Sequence, residues 1–142
     1  MPDLQSATGW VDNKQWWGAI MNLKSVSLPV PNAVFFITGS DTKDMPEIVR
    51  GSSIWSTPSC IAVGCKPDVD GETRIAIGAS ERVGFAAKPA FDGELQTPNQ
   101  VVSVDIVPGK KVLEQPVSGT STRIRIWVNH PVEPNDVAIG LG

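Results

Sequence analysis

The residues with the clearest chemical potential lie near the C-terminus, in the stretch STRIRIWVNHP. Alternation on a strand places Arg123, Arg125 and Trp127 on one face and the aliphatic residues between them on the other. Two guanidiniums and an indole in a row could bind a carboxylate, a phosphate or a sugar ring through forked hydrogen bonds and stacking. The alternative is that the arginines are neutralised across strands by Asp105, Glu72 or Glu114, if their strands are neighbours. Exposed positions of such a strand are polar in any case.

The chain has a single histidine, His130, in an extended loop before Pro131. A general base at this position needs an orienting carboxylate, which Glu133 or Asp136 could supply, and Asp105 could complete a carboxylate pair for hydrolysis. No serine lies in a G-x-S-x-G motif, and one histidine per chain excludes a multi-histidine metal site unless subunits share it. A catalytic hypothesis would therefore use His130, Glu133, Asp136 and Asp105. The sequence itself assigns no catalytic residue, metal ligand or cofactor.

Two other patterns with chemical potential favour structural roles. PDVDGE alternates acidic residues as a calcium loop does, but its glycine stands fourth instead of sixth and no glutamate follows at the twelfth position, so we expect a hairpin turn. Cys60 and Cys65 bound CIAVGC, and on one strand they face opposite sides roughly 16 Å apart, too far for a disulfide. They also lack the C-x-x-C spacing of redox pairs, which indicates reduced thiols packed in the interior.

Strand patterns dominate the segments that must position these residues. The 13 Gly and 12 Pro residues are spread along the chain, which indicates many turns and short elements. Alternating or continuously apolar runs predict strands over 24–30, 33–38, 59–64, 72–78, 100–107, 111–117, 121–129 and 136–141. The sequence therefore predicts one all-β domain over residues 1–142, a single-domain β-sandwich or a closed barrel of about 8–10 short antiparallel strands.

One or two short helices are expected in the N-terminal half. Residues 12–24 begin with an acidic residue and a glutamine three positions later, typical of a capping box, and their apolar residues then fall on one helical face. A helical turn is also predicted from Asp44 to the glycine at position 51. The first helix would lead into the strand that follows it, and the second would connect two strands.

Composition and charge exclude several function classes. The net charge of −3 at pH 7 and the pI near 5.0 come with 12 dispersed Lys and Arg residues, so the sequence has no basic stripe for nucleic acid. No apolar stretch approaches the length of a membrane span. The first ten residues lack the basic start and apolar run of a signal peptide, so we expect a cytoplasmic protein without nucleic-acid or membrane partners.

Tryptophan is the unusual feature of the composition, with five Trp and no Tyr. Indoles are favoured at protein interfaces, but they also fill cores because each ring supplies a large buried area. For each single tryptophan we favour the core, and for the set of five we expect one at a partner surface.

The size, acidity and β-rich character are shared with small bacterial nuclease inhibitors and immunity-type proteins, and TGW near the start suggests lipocalin-like barrels. No motif at the right spacing supports either, so the sequence is assigned to no family. The missing catalytic motifs and the Arg123, Arg125, Trp127 row favour a non-catalytic module that binds a protein partner. The alternatives are a small carboxylate-based hydrolase using the His130 loop and a homo-oligomeric structural subunit, so an enzyme is not the favoured interpretation.

Overall fold

The computed structural model describes residues 23–83, 87–107 and 110–142. The strands in chain order are β1 (Lys24–Leu28), β2 (Val34–Thr38), β3 (Ile54–Thr57), β4 (Cys60–Gly64), β5 (Thr73–Ala79), β6 (Phe91–Gln96), β7 (Val101–Val107), β8 (Lys110–Pro116), β9 (Ser121–Val128) and β10 (Asp136–Leu141). One short helix, α1 (Ser80–Val83), follows β5 directly. Short 3-10 turns occupy Pro31–Ala33 and Asp68–Asp70.

These strands form two five-stranded sheets. Sheet 1 has the order β1-β5-β10-β9-β6, and sheet 2 has the order β3-β4-β2-β7-β8. Neighbouring strands are antiparallel except for β5 and β10, which run parallel. The sheets pack face to face without closing into one barrel, so the predicted all-β sandwich is confirmed.

The core lies between the sheets and is built from the inward positions of the alternating strands. Its largest fully buried apolar side chains include Phe35, Ile37, Ile61, Ile75, Ile77, Leu95, Ile124, Ile126 and Ile139. β-branched residues predominate because their stiff side chains pack well on a pleated surface. With these residues turned inward, the polar residues between them are fixed on the outer faces, where a partner could reach them.

The strand β2 occupies the middle of sheet 2 and is covered on both faces, as its continuous apolar run predicts. Phe35 and Ile37 enter the core between the sheets. Phe36 points to the outer face of sheet 2 and packs there against Cys60 and Ala62. Sheet 2 therefore has apolar contacts on its outer side as well as its inner side.

Both cysteines are free and buried, and they lie on opposite sides of sheet 2. Burial raises the pKa of each thiol from 9.0 to about 11, and for Cys65 the neighbouring Thr73 side chain partly opposes the rise. The expectation of packed, unpaired thiols is confirmed.

The first prediction concerns these two thiols. At pH 8 the folded protein should react hardly at all with Ellman's reagent, because a thiol of pKa about 11 holds almost no thiolate at that pH. The same protein in concentrated urea should release two equivalents of thionitrobenzoate. Folding raises the pKa of both thiols, so the protonated thiols contribute to the free energy of unfolding below pH 9.0. That contribution is lost as the pH rises towards 11. Rapid reaction of either cysteine in the folded state would contradict this interpretation.

The helical turn predicted from Asp44 is wrong, since residues 43–49 carry no helix. The Asp44 N–H donates a hydrogen bond to the Ser59 hydroxyl at 2.8 Å, and the Thr57 hydroxyl donates one to the Asp44 carbonyl at 2.6 Å. The two hydroxyls form hydrogen bonds with the N–H and the carbonyl of Asp44, which in a helix would bond to other backbone groups of the same helix. The segment therefore lies beside the turn between β3 and β4.

The turn predicted at PDVDGE is formed, but it is not a hairpin. Asp68–Asp70 make a 3-10 turn, and Gly71 follows with φ of 134°. This turn carries the chain from β4 in sheet 2 to β5 in sheet 1.

The helix predicted within residues 12–24 lies almost wholly outside the described residues. In the part of the chain that is described, no helix is long and apolar enough to cross a membrane.

Candidate binding surface

The strand β9 presents Arg123 on the outer face of sheet 1, and that arginine has a partner. Its Nε donates to one carboxylate oxygen of Asp92 at 2.9 Å, and its Nη2 donates to the other at 2.7 Å. The hydrogen bond from Arg123 holds the pKa of Asp92 below its usual value. The Arg123 and Asp92 side chains are 50% and 41% exposed, so the forked pair fixes the guanidinium while half of the arginine side chain stays open to solvent.

Arg125 is held at the same edge by a backbone oxygen. Its Nη2 and Nε donate to the oxygen of Gly142 at 2.6 and 3.2 Å. The Ser80 hydroxyl donates to that oxygen at 2.7 Å, and the Gly142 N–H donates to the Arg123 carbonyl at 2.9 Å. The segment after β10 is thereby fixed against the outer face of β9.

The third member of the predicted row, Trp127, is almost entirely buried. It is 6% exposed, its indole N–H donates to the Ala87 carbonyl at 2.9 Å, and it packs against Val83 of α1 and Ala138 of β10. The expectation that its side chain shares an exposed row with the two arginines is corrected. Alternation did place it on the outer face, but α1 and the chain at Ala87 cover it there.

A glycine on β10 makes room for this indole. A Cβ at Gly140 would lie 2.8 Å from Trp127 Cζ3 and 2.9 Å from the Ser80 Cα. The close approach of α1 and the indole to β10 therefore requires the absence of a side chain at this position.

Beside Arg123 the surface opens into a cavity of about 380 Å³, which we call the Arg123 cleft. Its lining residues are Ala79, Glu81, Pro116, Val117, Ser118, Gly119, Ser121, Thr122, Arg123, Leu141 and Gly142. The walls are thus partly apolar, with an arginine and a glutamate among the polar groups. An apolar hollow next to a fixed guanidinium suits a ligand side chain that is itself apolar and has a carboxylate beside it.

The His130 loop has an internal role. Nδ1 of the exposed imidazole accepts the backbone N–H groups of Val132 and Glu133 at 3.1 and 3.0 Å. The Asn129 amide oxygen likewise accepts the N–H groups of Asn135 and Asp136, each at 3.1 Å. The two side chains close the loop between β9 and β10.

The four residues of the catalytic hypothesis are not brought together. Asp105 is 5% exposed on β7 of sheet 2, whereas His130, Glu133 and Asp136 belong to the β9–β10 connection of sheet 1. The Asp136 carboxylate pairs with Arg74 at 3.4 Å, and Glu133 meets the imidazole through its backbone N–H. Among the described residues, no three histidines, cysteines or carboxylates cluster as metal ligands would.

Of the tryptophans, two fall within the described residues. Trp55 is half-buried on β3, where its indole N–H donates to the Val49 carbonyl at 2.9 Å. Trp127 belongs to the cluster beneath α1. The other three, at positions 10, 16 and 17, lie outside the described residues, so the expectation of an interfacial tryptophan stays a prediction.

Comparison with known proteins gives one informative likeness. No protein-family model and no curated protein matches this sequence. The crystal structure of ComJ from Bacillus subtilis, described as an inhibitor of the DNA degrading activity of NucA, superposes with a TM-score of 0.53 at 8% sequence identity. The match covers 83% of this chain and 93% of ComJ. The two proteins share a fold.

Sequence reasoning found Arg123 and Arg125 but missed what surrounds them. Asp92 lies on β6, whose sequence FDGELQ mixes glycine and acidic residues and gives a weak strand pattern. The cleft is formed where residues after β8, at the start of β9 and at the end of β10 meet, which no local pattern predicts.

Proposed function

We propose that this chain is a non-catalytic protein-binding module whose partner docks on the Arg123 cleft and the guanidiniums of Arg123 and Arg125. The observation that carries the proposal is the adjacency of a partly apolar hollow of about 380 Å³ and a half-exposed arginine held by Asp92. Energetically dominant interface residues occupy such pockets, and arginine is enriched among them.

Both arginines are held in place before any partner binds, which supports this proposal. A flexible arginine loses side-chain entropy when it is immobilised at an interface. Arg123 is already held by two hydrogen bonds and Arg125 by the Gly142 oxygen, so much of that cost is met within the folded chain. The partner surface that fits is an apolar side chain flanked by carboxylates.

The likeness to ComJ supports a more specific proposal. ComJ is an inhibitor protein, and its fold matches over most of both chains. We therefore propose that the partner of this chain is also an enzyme, with a DNA-degrading nuclease as the first candidate. Binding of the module would then block access to the nuclease.

A capture experiment with matched variants tests the surface. Arg123→Ser combined with Arg125→Ser should weaken capture of the partner from an extract of the source cells by roughly 30-fold or more, because both guanidiniums are lost. Arg74→Ser is the control: it removes an exposed guanidinium from the same sheet, paired with Asp136, and should leave capture unchanged. Trp127 is left intact because its burial would confound binding with folding.

Two outcomes would contradict the proposal at different levels. Undiminished capture by the double variant would remove the Arg123 cleft as the docking surface. A partner that degrades no DNA, identified by mass spectrometry and assayed on plasmid, would overturn the nuclease as partner while leaving the binding role in place.

A further inference from the structure

A second cavity of about 380 Å³ lies at the opposite end of β9, and we call it the His130 cavity. Its lining residues are Ser53, Ala87, Lys88, Ala90, Trp127, Val128, Asn129, His130 and Pro131. It shares no residue with the Arg123 cleft, so it is a separate feature of the surface.

The walls of the His130 cavity are largely apolar. Ala90, Val128 and Pro131 supply uncharged groups, and Trp127 borders the cavity although it is only 6% exposed. Most of the indole is covered by the protein, so the other apolar residues provide most of the wall. Such a wall favours an apolar ligand body.

The polar groups at this cavity carry no negative charge. Lys88 supplies an ammonium group, Ser53 a hydroxyl and Asn129 an amide, and no carboxylate is among the lining residues. Nδ1 of His130 accepts two backbone N–H groups, so the proton of the neutral imidazole sits on Nε2. The ring therefore has an Nε2–H donor in addition to the acceptor that closes the loop.

We propose that the His130 cavity binds a carboxylate carried on an apolar body. The ammonium of Lys88 and the Nε2–H of His130 would hold the carboxylate, and the apolar lining at Ala90, Val128 and Pro131 would pack against the rest of the ligand. The same chemistry is found in a free aromatic acid and in a peptide ending in phenylalanine. The inference does not depend on the partner proposed above, because it uses a different site.

The single imidazole of the chain gives a direct probe. The carbon-bound proton signals of the His130 ring can be followed by NMR while benzoate is added to the full chain. Benzoate should shift them saturably, whereas benzamide, which lacks the charge, and acetate, which lacks the ring, should each bind roughly tenfold more weakly or worse. A peptide ending in phenylalanine, as the free acid and as the amide, forms the second arm.

Variants separate this site from non-specific binding. Lys88→Gln should weaken benzoate binding roughly tenfold and leave benzamide unaffected, and Lys110→Gln on β8 should change neither. His130→Asn keeps an acceptor for the two loop N–H groups but removes the Nε2–H donor, so it should also weaken benzoate, read from the Trp127 indole signal.

The outcomes are decisive in both directions. Tighter binding of benzoate than of the peptide acid assigns the cavity to free small molecules, and the reverse assigns it to a chain end of another protein. Equal responses to benzoate, benzamide and acetate, no saturation, or benzoate binding that survives Lys88→Gln would overturn the proposal.

Discussion

Replacing Trp127 by alanine is expected to lower the free energy of unfolding by about 3–5 kcal/mol. The indole is 6% exposed and packs between Val83 of α1 and Ala138 of β10, so truncation leaves a cavity and removes the support of α1. The bond from the indole N–H to the Ala87 carbonyl is lost as well. Urea unfolding followed by circular dichroism measures this change in the free energy of unfolding.

Two further variants show whether burial is the cause. Trp127→Phe keeps a ring in the cluster and gives up the N–H bond, so it should cost much less than the alanine variant. Arg123→Ser, four positions earlier on β9, should leave the midpoint near that of the parent protein, because its ion pair with Asp92 is exposed. If Trp127→Ala changed stability by less than about 0.5 kcal/mol, the indole would behave as a surface residue.

Replacing Gly39 by alanine is expected to destabilise the fold by about 1–3 kcal/mol or more. Gly39 follows β2 directly, and a Cβ there would overlap the Gln96 carbonyl oxygen and lie 2.7 Å from the Thr97 Cγ2. Thr97 is fully buried, and its hydroxyl donates to the Gly119 carbonyl at 2.7 Å, so the obstructing chain has little freedom to move. The end of sheet 2 passes close to the end of β6 at this point.

The matched control for this variant is Gly64→Ala at the end of β4. A Cβ at Gly64 would have its nearest neighbour at 3.4 Å, which is an ordinary contact, and neither glycine has a positive φ. The difference between the two midpoints of thermal unfolding therefore measures steric overlap and not backbone conformation. Equal midpoints would show that β2 and β6 are not as close as the structure places them.

Trp127 illustrates what the tertiary structure adds to the pattern of a strand. The period of two in STRIRIWV determined that Ile124 and Ile126 face one way and Arg123 and Trp127 the other, and that assignment is correct. The pattern carries no information on what lies above the outer face. The same limit applies to Asp105, which faces outward on β7 yet is 5% exposed.

The partner of Arg123 illustrates a second limit. The sequence indicated that a carboxylate on a neighbouring strand could neutralise this arginine and suggested Asp105, Glu72 or Glu114. Asp105 and Glu114 lie in the other sheet, and Arg123 bonds none of the three. The actual partner, Asp92, lies on β6, which pairs with β9. Strand order is set by contacts between residues far apart in the chain, and a local pattern does not encode them.

The sequence by itself determined the all-β class, most of the strands, the inward residues of the alternating strands, the unpaired thiols and the turn at PDVDGE. These features depend on side-chain periodicity, composition and short-range geometry, which are local. Only the tertiary structure decided the sandwich, the parallel β5–β10 pair, the burial of Trp127 and the two cavities beside β9. Each of those arises where segments distant in sequence meet, and their energetics come from packing and hydrogen bonds formed only on folding.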